Sequence, residues 1–339
     1  MNEISLHKSV WDRLQSRRKQ LPHSLLFVGQ KGLGKFELAK QFAAGLLCEV
    51  PQDHGIACGK CLACNWFGQG NHPDFRLLQP DALNAEVVAE DGKKKLSQQI
   101  TIDQVRGLDE FLNIGTHRGG LRIVIVNPTE SMNRNTANAL LKTLEEPAAN
   151  TLFLLVSSEP ARLLPTIRSR CQTVPIPLPN PKLAANILSE SGVADAARWL
   201  ALAGGSPVLA LEYSKSGTAG WLELLIKCLS EGKSGDPLRS AAEVEKALKD
   251  SKGSLQLKHI VEAIQKWLVD LTLAKNAMQI RYFLPQATTM TALADMIPAM
   301  RLINAYRDML SHRQESEQPL NPRLFLEGIF LDYRALFTN

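Results

Sequence analysis

The sequence predicts an α/β domain of P-loop type with a parallel sheet and an inserted four-cysteine module, followed by an all-helical remainder. Three observations carry this. A short apolar run, Leu25–Val28, leads into Gly29-Gln30-Lys31-Gly32-Leu33-Gly34-Lys35 and then into apolar residues at helical spacing (Phe36, Leu38, Ala39, Phe42, Ala43, Leu46, Leu47). Further unbroken apolar runs at Leu121–Val126 and Leu152–Val156 alternate with helical patterns. That alternation is the mark of parallel strands buried on both faces and joined by right-handed crossovers. From about residue 216 onward every recognisable pattern is helical.

Taken in order, residues 4–20 form a polar amphipathic helix pattern (Ile4, Val10, Trp11, Leu14) ahead of the first strand. The helix after the glycine loop runs to about Cys48. A loop-rich stretch follows from Val50 to Pro80, and the charged residues 81–95 are expected to form a mobile surface loop or hairpin. Ile102, Val105, Leu108 and Leu112 fall at helical spacing, and Thr116–Gly120 turns the chain into the strand at Leu121. Thr136–Glu146 is a strong helix former stopped by Pro147, and Ala161–Arg170 is a short helix with Pro165 near its start. The run Pro175-Ile176-Pro177-Leu178-Pro179-Asn180-Pro181 suits neither a helix nor a central strand and is expected to be a linker. Residues 182–212 predict short helices broken at Gly204-Gly205-Ser206-Pro207. Helical patterns then occupy Trp221–Leu229, Val244–Leu248, Leu257–Leu273, Met290–Leu310 and Leu324–Leu336. The expected domains are 1–174, 175–215 and 216–339.

A chain of 339 residues exceeds one typical core, which agrees with two or three domains. The net charge of +5 and pI near 8.8 are compatible with a polyanionic partner but too mild to argue for one. No apolar run approaches the roughly 18 residues of a membrane span. The first residues carry Glu3, His7, Lys8 and Asp12 instead of an apolar signal core, so the expectation is a soluble, cytoplasmic protein.

The loop at Gly29–Lys35 has the strand–loop–helix setting in which backbone N–H groups face phosphates and a lysine reaches the β/γ-phosphates. The next position should offer a hydroxyl to Mg²⁺, and here it is Phe36. The strand Leu121–Val126 should end in an acidic pair that holds Mg²⁺ and polarises water. It ends in Asn127-Pro128 instead, and Glu130 lies too late in the chain to be expected at a γ-phosphate. Two losses at complementary places suggest that hydrolysis has been abandoned. A tight glycine turn that holds no ligand stays open as an alternative.

The spacing Cys48-x₉-Cys58-x₂-Cys61-x₂-Cys64 offers four thiolates beside Gly55, Gly59 and Lys60, which permit tight turns. A closed Cys₄ set suits structural Zn²⁺ and leaves no open position for catalysis. Two disulfides are the alternative, disfavoured inside a cell. A zinc-ribbon contact to nucleic acid is another, disfavoured by the few basic residues around the module. Cys171 and Cys228 are expected to be packing residues. Ser169-Arg170-Cys171 ends the α/β region, where an arginine could reach a neighbour's γ-phosphate, although most surface arginines are simply solvated.

The run Asn138-Ala139-Leu140-Leu141-Lys142-Thr143-Leu144-Glu145-Glu146-Pro147, followed by Arg168-Ser169-Arg170-Cys171, resembles the AAA+ clamp-loader family. The Cys₄ module, Gly70-Asn71-His72-Pro73-Asp74-Phe75 and the degraded nucleotide motifs narrow the resemblance to the delta-prime branch of bacterial DNA polymerase III clamp loaders. The likeness is dense over residues 20–175, thinner to about 212, and weak in motif terms beyond. It implies an AAA+ α/β domain, a small helical lid and a C-terminal helical collar for oligomerisation. It also implies an assembly with gamma/tau and delta subunits that opens a ring-shaped sliding clamp and places it on primer–template DNA. In that setting Arg170 would act in trans on a gamma/tau ATP site, and Cys48, Cys58, Cys61 and Cys64 would hold zinc. Ser157 or Ser158 would match the sensor-1 hydroxyl. Val208 stands where active members place the sensor-2 arginine, a third loss. Gly29, Gly32, Gly34 and Lys35 remain, so the implied nucleotide site is degenerate, with weak ATP binding or none. The alternative, an active gamma/tau-like ATPase motor, is opposed by Phe36, Asn127-Pro128 and Val208. Nothing in the chain resembles a polymerase active site.

Overall fold

Five short strands build the sheet in the computed structural model, which describes residues 3–83, 96–113, 120–215, 218–251, 253, 255–316 and 318–338. They are β1 (Ser24–Val28), β2 (Phe75–Leu78), β3 (Arg122–Val126), β4 (Thr151–Ser157) and β5 (Gln172–Pro175). Their order is β2-β3-β4-β1-β5, and every neighbouring pair is parallel. β3 and β4 are buried along their whole lengths, which is why both read as continuous apolar runs.

The helices of this region are α1 (Glu3–Leu6), α2 (Lys8–Ser16), α3 (Lys35–Leu47), α4 (Leu62–Gly68), α5 (Ile102–Asn113), α6 (Arg134–Glu145) and α7 (Pro165–Arg170). Successive strand side chains point to opposite faces, so the sheet feeds two cores. Leu25 and Phe27 of β1, with Leu152 and Leu154 of β4, pack with Trp11, Leu38 and Phe42 from α2 and α3. Leu26 and Phe153 join Leu108, Leu140 and Ile167 from α5, α6 and α7 on the other face. Cys171 is buried in that second core as a packing residue.

Two strands were not expected. β2, together with α4, lies inside the stretch read as loop between Val50 and Pro80; at four residues it is too short for periodicity to register. β5 takes Pro175, the first residue of the expected linker, and Ile176 is buried with its N–H donating to Val28 O at 2.7 Å. Proline excludes a central strand but is tolerated at an edge, and β5 is an edge. The expected surface loop at 81–95 lies outside the described residues from 84 onward, as do residues 116–119 of the turn before β3.

The chain divides into two compact units, Met1–Asn180 and Pro181–Asn339. The second contains α8 (Pro181–Glu190), α9 (Ala196–Leu202), α10 (Pro207–Lys215), α11 (Thr218–Ser230), α12 (Pro237–Asp250), α13 (Leu257–Lys275), α14 (Ala287–Asp295), α15 (Ala299–Glu315) and α16 (Pro322–Ala335). One core runs through it from Ala184 to Phe337 and includes Cys228. Trp267 of α13 is fully buried there and donates its Nε1–H to Tyr333 Oη at 3.0 Å. That hydroxyl donates in turn to Leu229 O at 2.8 Å, so one relay joins α13, α16 and α11. The buried Asp270 carboxylate accepts the backbone N–H groups of Arg281, Tyr282 and Phe283, closing the loop after α13. The helix expected at Met290–Leu310 is two helices, because Pro298 (φ −61°) starts α15 instead of interrupting a longer one. Among the described residues no helix is long and apolar enough to cross a membrane.

Candidate functional site

β1 delivers the glycine loop to the C-terminal edge of the sheet, where α/β proteins place ligands. Gly32 (φ 76°) and Gly34 (φ 72°) adopt left-handed backbone that other residues resist. Gly29 is needed for space: a Cβ there would come within 2.6 Å of Ile176 O, on the chain leaving β5. The loop therefore has the shape of a phosphate cradle. Its lysine is engaged elsewhere.

Lys35 Nζ donates to Gly29 O at 3.0 Å, Gln30 O at 2.6 Å and Ser158 Oγ at 2.9 Å. An ammonium has three N–H groups, and all three are used. Burial pushes the lysine down to about 8, against the opposing pull of Glu130 and Glu37. Ser158 N–H donates to Glu130 Oε1 at 2.9 Å, so Lys35, Ser158 and Glu130 form one connected group. Glu130 is thus closer to the loop than its place in the chain suggested, because the short turn Thr129–Ser131 folds it back across β4. Of the two candidate hydroxyls, Ser158 faces Lys35, while Ser157 Oγ accepts from Glu159 N–H at 3.2 Å. Phe36 packs against the apolar core beneath the loop. Beyond Asn127-Pro128, Thr129 Oγ1 bonds to Val126 O at 3.2 Å and Val156 O at 3.0 Å, tying the ends of β3 and β4 together. His7 Nε2–H donates to Leu33 O at 2.6 Å, a tether from before α2 that sequence patterning had not singled out. Val208 is the second residue of α10, in the other unit.

The four cysteines converge. The Sγ atoms of Cys48, Cys58, Cys61 and Cys64 all lie within 4.8 Å of one another, with Cys48–Cys61 and Cys58–Cys64 at 3.9 Å. Four sulfurs at about 2.3 Å from a tetrahedral Zn²⁺ would stand about 3.8 Å apart, so the set fits the ion. Backbone N–H groups support the sulfurs: Lys60 and Cys61 donate to Cys58 at 3.5 and 3.4 Å, Cys64 to Cys61 at 3.4 Å, and Cys58 to Cys48 at 3.3 Å. The two donors on Cys58 pull its thiol down to about 6, whereas burial pushes Cys64 up to about 12. The module is pinned at its entrance. Trp11 Nε1–H donates to His54 O at 2.9 Å, and a Cβ on Gly45 of α3 would strike Gly55 O.

Arg170 ends α7 at the opposite, N-terminal edge of the strands. Its carbonyl accepts from Ser24 Oγ at 2.6 Å, at the base of β1. Its guanidinium pairs with Glu145 at 2.6 Å and donates to Thr166 O at 3.0 Å. Glu145 lies within the run Leu144-Glu145-Glu146-Pro147, yet a pairing across two helices leaves no spacing signal by which sequence could have assigned it.

Residues 6–180 match the family described as DNA polymerase III, delta subunit. The DNA polymerase III subunit delta' of Pseudomonas aeruginosa is 33% identical over 97% of this chain and 96% of its own length. The chain belongs to the DNA polymerase III delta' subunit family. The delta' subunit of Escherichia coli is 38% identical over a shorter span, 56% of this chain and 53% of its own. Among solved structures, a DNA polymerase III gamma subunit-related protein from Thermotoga maritima aligns over 96% of this chain and 99% of its own at 18% identity, with a TM-score of 0.46. In this delta' chain the glycine loop and the Cys₄ module both fall inside the family match, and so does Arg170.

Proposed function

We propose that this delta' subunit is the non-hydrolysing member of a DNA polymerase III clamp loader, and that it lends Arg170 in trans to the ATP site of a neighbouring gamma/tau subunit. The observation that carries the first part is Lys35. Its three N–H groups are spent on the loop's own carbonyls and Ser158, so a phosphate would have to displace them. No hydroxyl follows it, and no carboxylate pair ends β3. Together these disfavour the motor reading. Partners on this proposal are the gamma/tau and delta subunits, the sliding clamp, and primer–template DNA within the assembly.

The remaining parts follow the same reading. Zinc at Cys48, Cys58, Cys61 and Cys64 would cross-link a segment with little apolar core of its own. Residues 175–215 would act as the lid and 216–339 as the collar. In favour of a collar, Met300, Ile303 and Leu310 on α15 are exposed at helical spacing, as are Leu324 and Leu331 on α16.

The test is reconstitution with cognate gamma/tau, delta and clamp on primed DNA. An arginine at a transferring phosphoryl group accounts for about 10³–10⁵ in rate, so Arg170→Ala should depress ATP hydrolysis and clamp loading while the chain stays folded. The isolated chain should not turn over ATP, and Lys35→Ala should leave that baseline where it is. An unimpaired Arg170→Ala assembly, or a lysine-dependent ATPase in the isolated chain, would sink the corresponding half.

A further inference from the structure

Arg170 is held from several directions. Its Nη2 lies 2.6 Å from Glu145 Oε1, and its Nη1 donates to Thr166 O at 3.0 Å and Ser169 Oγ at 3.4 Å. Its backbone is anchored separately by Ser24. Glu145 and Arg170 are the last residues of α6 and α7, two helices packed against each other on one face of the sheet. The paired side chains are 34% and 48% exposed, so the guanidinium stands at the surface within reach of another molecule. Nε–H takes part in none of these bonds.

We propose that Glu145 is the positioning residue for Arg170. The carboxylate and the Thr166 carbonyl fix the two Nη atoms and set the plane of the guanidinium, leaving the Nε–H uncommitted for an incoming phosphate oxygen. The reason is entropic. A free arginine must surrender its rotamer freedom when it meets the phosphate, whereas one already held by its own domain has surrendered it beforehand. An ion pair this exposed contributes little to stability, so removing it should leave the fold intact.

This inference rests on the trans-arginine reading, and the experiment separates the two. Loaders are reconstituted with wild-type chain, Glu145→Ala, Glu145→Gln, Arg170→Ala, or the double Glu145→Ala/Arg170→Ala variant, and kcat and KM for ATP are measured with clamp and primed DNA. The expected result is that Glu145→Ala lowers kcat by about three- to thirtyfold, the upper end matching an arginine's rotamer freedom, and leaves KM unchanged. Glu145→Gln, which keeps an oxygen acceptor, should recover part of the loss. The double variant should be no worse than Arg170→Ala alone. If Arg170→Ala is impaired while Glu145→Ala matches wild type, the positioning role is overturned and the arginine reading stands. An equal loss from Glu145→Ala in the Arg170→Ala background also overturns it, because the effect would not pass through the arginine. A wild-type kcat for Arg170→Ala overturns both.

Discussion

Lys35 has the sequence position of a phosphate ligand and the surroundings of a packing residue. Its ammonium sits in a largely buried site, and burial pushes it down to about 8 from the ordinary 10.5. Between those values the unfolded chain still holds a proton that the folded chain has released, so stability rises with pH across that window. Below about pH 8 both forms are protonated and the burial cost is felt in full. The difference between the denaturation midpoints of the wild type and Lys35→Met should therefore change from pH 7 to 10, with the wild type gaining on the variant as pH rises. Comparing the two removes the background titration of the other lysines and tyrosines. A constant difference over that range would mean that the ammonium is solvated. Sequence placed the lysine correctly and could not foresee its partners: Ser158 lies 123 residues away, and Glu130 reaches it only through the turn after β3.

At the scale of elements, what was legible followed from burial. β1, β3 and β4 are the sheet's interior strands, and their apolar runs are unmistakable. β2 and β5 are the edges, four residues each, with exposed positions that dilute the pattern. The Cys₄ module was legible for a different reason: thiolate spacing is chemical and needs no periodicity. Its convergence was expected, whereas its clamping onto α2 and α3 through Trp11 and Gly45 was not. Within the module Val50, Ile56 and Leu62 are exposed, so little apolar surface holds it together. Metal analysis should find one zinc per chain. A strong chelator should make residues 49–66 protease-sensitive and fast in amide exchange, with β1, β3 and β4 still protected. Unchanged protection of 49–66 after metal removal would show that packing alone maintains the module.

For the whole molecule, the decisive fact is where the cores end. The α/β unit stops at Asn180, and the helical unit shares one core from Ala184 to Phe337, in which α8, α9 and α10 pack on one another and α10 meets α11. A fragment ending at residue 180 should fold cooperatively with the α/β sheet intact. A fragment ending at 215 should carry three helices whose shared core has lost everything from α11 onward, and should bind a hydrophobic dye and aggregate. A monomeric, dye-silent 1–215 fragment would instead make residues 175–215 a self-sufficient domain. β1 has a directional consequence of its own. Ser24 at its start holds the Arg170 backbone, and Val28 at its end feeds the glycine loop, so a single strand about 16 Å long separates the two. Subunits built on this plan would, on the proposed reading, meet head to tail, each presenting a donor end to the next one's acceptor end. On the proposed reading this chain keeps its donor and has closed its acceptor, so it can terminate a row of such subunits at one end but cannot continue it.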